Sequence, residues 1–271
     1  MNQMHNNNGL IHTNRVTTTI KQRIVCTLAI IIWSIGIAQS ADFKAEQLNY
    51  RVLYKWGLVN KTAGRAKMSL KPIDSGYRAI LTARSEPWAD RVYHLRDTLV
   101  TVMDRQTLRP SRYEKIAHED GKYSRDIIEF TYLGNNVTGK CTRYRRGKKD
   151  ATVTTAHSSL TATESAYDML SVFYYIRSVD FASLGKNNKV TVTIFSGKKK
   201  ETLSITYKGT EKINVSSKIY NTHHVTFSFT NGGKKSSEPI KAWLSDDYRK
   251  IPIKLEGQLK IGKVTVEYTG G

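Results

Sequence analysis

From Gln47 to the end of the chain, apolar residues recur at every second position, and that period restricts the fold more than any other feature of the sequence. Ala66, Met68 and Leu70 alternate with Arg65, Lys67, Ser69 and Lys71, while Ile128, Phe130 and Tyr132 alternate with Glu129 and Thr131. The same alternation runs through 190–194, 203–207, 225–229 and 264–268. Strands of this kind have one wet face and one dry face, which suits antiparallel sheet and argues against parallel strands buried on both sides. Turn formers punctuate them at Asp74-Ser75-Gly76, Asp120-Gly121, Gly134-Asn135-Asn136, Arg146-Gly147, Ser196-Gly197 and Asn231-Gly232-Gly233.

The clearest unit is the stretch from Pro239 to Glu256, where Ser245, Asp246 and Asp247 separate one strand from a second in which Ile251, Ile253 and Leu255 alternate with polar residues or proline. One segment breaks the period. Between Thr161 and Arg177, the residues Ala166, Met169, Leu170, Phe173 and Ile176 fall on one helical stripe, and Thr161 and Glu164 have the spacing of a capping box. This predicts one amphipathic helix, with a short second helical turn near Asp180 to Leu184. Its stripe needs apolar surface, and the dry face of the sheet supplies it. The predicted fold class is therefore mainly β: a strongly curved antiparallel sheet, a half-open or flattened barrel, packed around one amphipathic helix. With no linker and no shift in composition, residues 41–271 read as a single domain.

Ahead of that domain, Lys21 and Arg23 precede the apolar run from Ile24 to Ala38, which ends in Ala38-Gln39-Ser40. The run has 15 residues, short of the roughly 20 that span a bilayer as an anchor, and its flanks are those of a secretory signal peptide over residues 1–40. An uncleaved anchor is the alternative. After export the chain keeps only Cys141, so no internal disulfide can form and the core must hold the fold. The formal net charge is +20, and removing the three cations of the leader, Arg15, Lys21 and Arg23, leaves +17. A field of that sign attracts polyanions. Export sets nucleic acid aside and leaves lipid, lipoprotein or anionic glycan of the cell envelope, with peripheral membrane contact.

Three hairpin tips share Gly-Lys-Lys, at 147–149, 197–199 and 233–235. Only the first is dense in charge: Lys140, Arg143, Arg145, Arg146, Lys148 and Lys149 are the candidate contacts to an anionic surface, against the plainer reading that tip lysines keep hairpins soluble. Three strands counted between the second and third tips, at about 200–207, 211–217 and 219–230, would put those two tips at opposite ends of the sheet. Aromatic residues suggest a ligand pocket between helix and sheet, with Trp56, Trp88, Tyr167, Phe173, Tyr174 and Trp243 as its candidates and ordinary core packing as the alternative. Asp246 and Asp247 read as turn caps rather than paired catalytic carboxylates, and His223-His224 fails as a metal pair because neighbours on a strand face opposite ways. No nucleophile elbow, phosphate loop or zinc spacing is present, so no catalytic residue, metal or cofactor is assigned.

Several short stretches carry a resemblance. They are Tyr50-x-x-x-Tyr54 with Trp56-Gly57 and Ala63-Gly64, Arg96-Asp97, Leu108-Arg109-Pro110, Tyr167-Asp168 to Tyr175-x-Arg177, and Trp243-Leu244-Ser245-Asp246-Asp247 with Lys250-Ile251-Pro252-Ile253. In that order they resemble the domain-of-unknown-function 3108 family of exported bacterial proteins, over essentially the whole mature chain. A more distant likeness is to the periplasmic lipoprotein carriers, whose half-open barrel holds acyl chains under several helices, where this chain offers one. The resemblance implies no catalytic residues. It fits an exported, non-enzymatic envelope protein that binds an apolar or amphipathic envelope molecule in the periplasm or at the outer membrane. An envelope enzyme acting on glycan or lipid, and a purely structural protein, remain open beside it.

Overall fold

The computed structural model describes residues 42–235, 238–259 and 261–271, so the predicted leader lies outside the described residues. They belong to one unit of the chain, Ser40–Gly271. Strands β1 (Glu46–Trp56), β2 (Val59–Ile73), β3 (Gly76–Ser85), β4 (Leu95–Met103), β5 (Pro110–Glu119), β6 (Lys122–Leu133), β7 (Asn136–Arg146) and β8 (Thr154–Ala162) form an antiparallel meander, with helix α1 (Pro87–Asp90) between β3 and β4. After the two-residue β9 (Ala166–Tyr167) come helices α2 (Ser171–Ser178) and α3 (Phe181–Leu184). The second half comprises β10 (Lys189–Ser196), β11 (Lys199–Val215), β12 (Lys218–Asn231), β13 (Lys234–Lys235), β14 (Ile240–Ser245), β15 (Pro252–Gln258) and β16 (Lys263–Gly270).

All sixteen strands join one sheet in the order β8 to β1, then β16, β15, β14, β12, β11, β10 and β9, with β13 on the end of β12. Every pairing is antiparallel except β9 with β10. The sheet's two edges, β8 and β9, are consecutive in sequence, so a short link brings them round to each other. Near this seam Lys200 Nζ donates to the Thr161 carbonyl at 3.0 Å, and Phe195 of β10 stacks on Phe130 of β6 at 5.7 Å. The result is the mainly β, nearly closed barrel-like sheet that the alternation predicts, with its dry face turned inward around α2.

The helix differs from expectation. Thr161 is still strand, paired with Thr138 of β7, and the helix occupies only Ser171–Ser178. The cap is Asp168, whose Oδ1 accepts from the Leu170 and Ser171 amides at 2.7 and 2.8 Å while Ser171 Oγ accepts from the Asp168 amide at 3.0 Å. This reciprocal cap, seven residues beyond Thr161, lies where pairing along the sheet edge has ended. Val172, Tyr174, Ile176 and Arg177 are buried as fully as Leu170, so α2 is buried on more than the one stripe its apolar spacing marks. The second helical turn is where it was expected, with Asp180 accepting from Ala182 and Ser183 amides.

The strand count also differs. β11 runs unbroken from Lys199 to Val215, carried over a register shift between Tyr207 and Gly209. Two strands, not three, therefore separate the second and third Gly-Lys-Lys tips, and Thr202 pairing with Thr230 sets both tips at the same end. The hairpin of β14 and β15 forms as read: Asp247 Oδ1 accepts from the Arg249 and Lys250 amides, and Ser245 Oγ accepts from the Ile251 amide at 2.8 Å.

Candidate functional site

The inside of the sheet has two characters. At one end it is apolar and occupied by α2. Thr101 Oγ1 on β4 donates to Asp168 Oδ2 at 2.7 Å and anchors the start of the helix. At the helix's other end the Arg177 guanidinium, 1% exposed, pairs with Glu46 of β1, donates through Nε to the Arg249 carbonyl at 2.9 Å, and lies over the rings of Phe43 and Tyr174 at 4.8 and 5.3 Å. Leu48, Leu70, Tyr77, Ile128, Phe195 and Val225 belong to the same buried core as the helix, with essentially no exposure. Among the described residues, the Tyr50 and Tyr174 hydroxyls are buried with no hydrogen-bond partner, and burial pushes both phenols far above their ordinary range.

Of the six aromatic candidates, the structure gathers three. Tyr167, Phe173 and Tyr174 lie on or just before α2, with Tyr167 tilted against Tyr175 at 4.6 Å. Trp56 is 58% exposed at the end of β1, and Trp88 on α1 donates Nε1–H to the Thr62 carbonyl at 2.8 Å. Trp243 lies on the outer face of β14, between the buried, inward Ala242 and Leu244. There it stacks on His224 at 4.9 Å, lies under Lys254, and donates to Glu211 at 2.9 Å. The tryptophans and the helix aromatics thus do not share one pocket.

Toward the tip joining β5 and β6, the inward face turns charged. Lys115 and Glu119 are in phase with buried Tyr113 and Ala117 on β5; Asp126 is in phase with Ile128 and Phe130 on β6; Arg143 and Arg145 are in phase with Cys141 on β7. Because Asp97 of β4 pairs with Ala117, it lies diagonally between Lys115 and Glu119, and Lys115 Nζ reaches a carboxylate oxygen of each at 3.4 Å. The Tyr93 hydroxyl donates to Glu119 at 2.8 Å. Burial pushes Asp97 up to about 6, against the opposing pull of Lys115, and its Oδ1 has no hydrogen-bond partner among the described residues. Burial also raises Glu119, yet the Tyr93 hydrogen bond and Lys115 together bring it below the usual range, and Tyr93 is raised to about 12 chiefly by that same bond. Asp126 holds Arg143 Nε at 3.3 Å and Arg145 Nη2 at 2.8 Å. Beside this array opens a cleft of about 370 Å³ lined by Tyr93, Glu119, Lys122, Ser124, Arg145 and Arg146.

The basic candidates are therefore divided by the strand's own alternation. Arg143 and Arg145 face inward on Asp126, Lys140 and Arg146 fall on the outer face, Lys148 pairs with Asp120 at 3.2 Å, and Lys149 stands exposed at the tip. Asp97, Lys115, Glu119 and Asp126 are not among the site candidates drawn from the sequence, where Asp97 figures only in the Arg96-Asp97 stretch of the resemblance. Their signal is a charge in phase with apolar positions on the same strand. Cys141 is 2% exposed and its thiol is pushed up by burial, which makes it a core residue and not a nucleophile. Asp246 pairs with His223 Nε2 at 2.9 Å, whose Nδ1 is 3.3 Å from the Tyr207 hydroxyl. Among the described residues no three metal-ligating side chains converge.

A family model described as "Protein of unknown function (DUF3108)" matches residues 49–269. The comparison with curated proteins gives no match. Among solved structures, a beta-barrel-like protein of domain of unknown function DUF1849 from Brucella abortus is similar at 11% identity, with 84% of this chain and 97% of that chain covered and a TM-score of 0.55. That likeness concerns the fold. The hypothetical lipoprotein YmcC from Escherichia coli aligns at 10% identity over 91% of this chain and 96% of its own, with a TM-score of 0.31. The Mycobacterium tuberculosis lipoprotein LppX aligns at 12% identity over 90% and 94%, with a TM-score of 0.23. Scores of that size do not establish a common fold.

Proposed function

Since the chain belongs to the DUF3108 family, whose description carries no chemistry, we propose from its own geometry that it is an exported, non-enzymatic envelope protein that binds the polar end of an amphipathic envelope molecule. The observation that carries this reading is the change of character along one concave face, from the apolar packing around α2 to the charged array of Lys115, Glu119, Asp126, Arg143 and Arg145 beside an open cleft. A molecule with an anionic head and an apolar body matches both ends. With α2 filling the apolar end, the head group is the part for which the cleft offers room. The leader over residues 1–40 takes the chain out of the cytoplasm, and the +17 charge of the remainder keeps it near anionic lipid, lipoprotein or glycan, with nucleic acid excluded as a partner by compartment.

Native mass spectrometry of the protein purified gently from its own envelope tests this. The expected result is a bound mass in the lipid or oligosaccharide range that falls in occupancy in the R143Q/R145Q variant. A bare protein mass, or a bound mass that the variant leaves unchanged, would overturn it.

One observation favours a second reading. Asp97 and Glu119 converge on Lys115 beside a cleft, with one carboxyl raised and the other lowered, which is the pattern of an acid and base pair. An envelope glycan or lipid hydrolysed by the wild type and not by D97N or E119Q would move the assignment to an enzyme.

A further inference from the structure

The register of the first strands lines up arginines on the outside of the sheet. Arg51 pairs with Arg65, Arg65 with Arg84 and Arg84 with Arg96, so four adjacent strands place arginines directly opposite one another, and His118 of β5 is next in the row. Like charges facing each other across a ladder are destabilising. A solvated face would be expected to alternate their sign, as the same row does at its end, where Arg51 faces Glu267. The fold offsets most of this repulsion from the margins: Glu267 holds Arg51 at 2.6 Å, Glu86 holds Arg65 at 2.7 Å, and Asp90 holds Arg96 at 2.7 Å. The middle is left open. Among the described residues Arg84 has no acidic partner, nor has Lys67, and both are exposed.

Lys67 pairs with Thr82, two residues before Arg84 on the same face, so the two cations are diagonal neighbours, about 7–8 Å apart at their backbones. They border a groove of about 610 Å³ on the outer surface, whose lining includes Arg65, Lys67, Thr82, Arg84, Arg96 and His118. Asp97 also lines this groove, but its side chain reaches Lys115 on the inner face at 3.4 Å. At its margin Glu86 and Asp90 are already engaged by Arg65 and Arg96, and Arg96 together with Ser85 holds Asp90 down to about 2.

We propose that this groove is a binding site for a phosphate ester, with Lys67 and Arg84 as the residues that take its oxygens and Thr82 as a hydroxyl donor between them. A phosphate ester presents two or three non-bridging acceptor oxygens and one or two charges, which suits a guanidinium fork and an ammonium approaching from neighbouring strands. The site lies on the opposite face of the sheet from the charged cleft and does not depend on the function proposed for it. A lipid head group and a soluble phosphate share this chemistry.

Two probes separate those sources: vesicles of phosphatidylglycerol in phosphatidylcholine, measured by co-sedimentation, and inorganic pyrophosphate, measured by calorimetry. The expected result is that K67Q/R84Q weakens binding about ten-fold or more, while K198Q/K199Q, which removes the same charge from an exposed hairpin tip, changes it by less than about two-fold. Loss confined to vesicles assigns the lipid head group, and loss with pyrophosphate as well assigns a general phosphate site. Equal weakening by the two double variants would reduce the groove to net charge, and wild-type protein that binds neither probe would remove the site. Because Lys67 and Arg84 are exposed, K67Q/R84Q should melt at or slightly above the wild-type temperature, which separates a binding defect from a folding one.

Discussion

Asp97 is a carboxyl that the folded molecule keeps protonated where the unfolded chain would not. The folded group titrates near 6 because burial disfavours its charge, whereas in the unfolded chain it releases its proton near 3.8. The native state therefore holds the extra proton between those values, and this group's contribution to stability is full below about 3.8 and declines as pH rises through 6. Asp97→Asn, which cannot ionise, should remove that decline and stabilise the protein by about 1–2 kcal/mol at neutral pH, with little change below the window. Urea melts on either side of the window measure it; a wild-type minus variant difference that does not change with pH would show that Asp97 is ionised throughout. Reading Asp97 from sequence was within reach, since it is in phase with Leu99, Thr101 and Met103 along β4. What the sequence could not supply was its company, because Lys115 and Glu119 reach it only through the register of β5.

At the scale of the element, α2 is held by its two ends. Asp168 and Thr101 fix the start, and Arg177 with Glu46 fixes the finish, while apolar packing fills the turns between. A short helix of this kind depends on tertiary burial, since one of 8 residues is well under the roughly 12–15 that hold helical structure alone. Arg177→Met should cost about 3 kcal/mol, the low end for breaking a buried pair, because Glu46 then keeps only its longer 3.6 Å contact to Arg249, and E46Q/R177M should recover part of that loss. Chemical denaturation of both variants checks it, and a double variant less stable than the single would show that the pair's packing outweighs its charge. The apolar spacing of 166–176 marks a helix correctly but says nothing of its start. Thr161 and Glu164 have capping-box spacing, yet sheet pairing continues through Ala162 and the cap falls at Asp168.

For the whole molecule, closure depends on contacts distant in sequence. β1 pairs with β16, so Arg51 meets Glu267 across 216 residues, and across the seam Gly139 of β7 lies against Phe195 of β10. A Cβ on Gly139 would come within 2.7 Å of the Phe195 ring, in a core where Phe195 is fully buried. Gly139→Ala should therefore cost about 1–3 kcal/mol, from overpacking at the seam. Thermal melts of the variant test this, and an unchanged midpoint would mean that the seam opens to admit a methyl group. Refolding should be slow for the same topological reason, since pairing strands from the two ends of the chain must precede its reward.

The sequence by itself determined the period, and with it an antiparallel sheet with one dry face, the β14–β15 hairpin with its Asp247 cap, and the presence of a helix among strands. Those are local properties, set by which side chains alternate and which turns their residues favour. The tertiary structure decided where each row of side chains ends up. It put Arg143 and Arg145 inside and Lys140 and Arg146 outside, separated Trp243 from the helix aromatics, and assembled both the inner carboxyl pair and the outer arginine row. Register carries this information, and register is a relation between strands that no single strand contains.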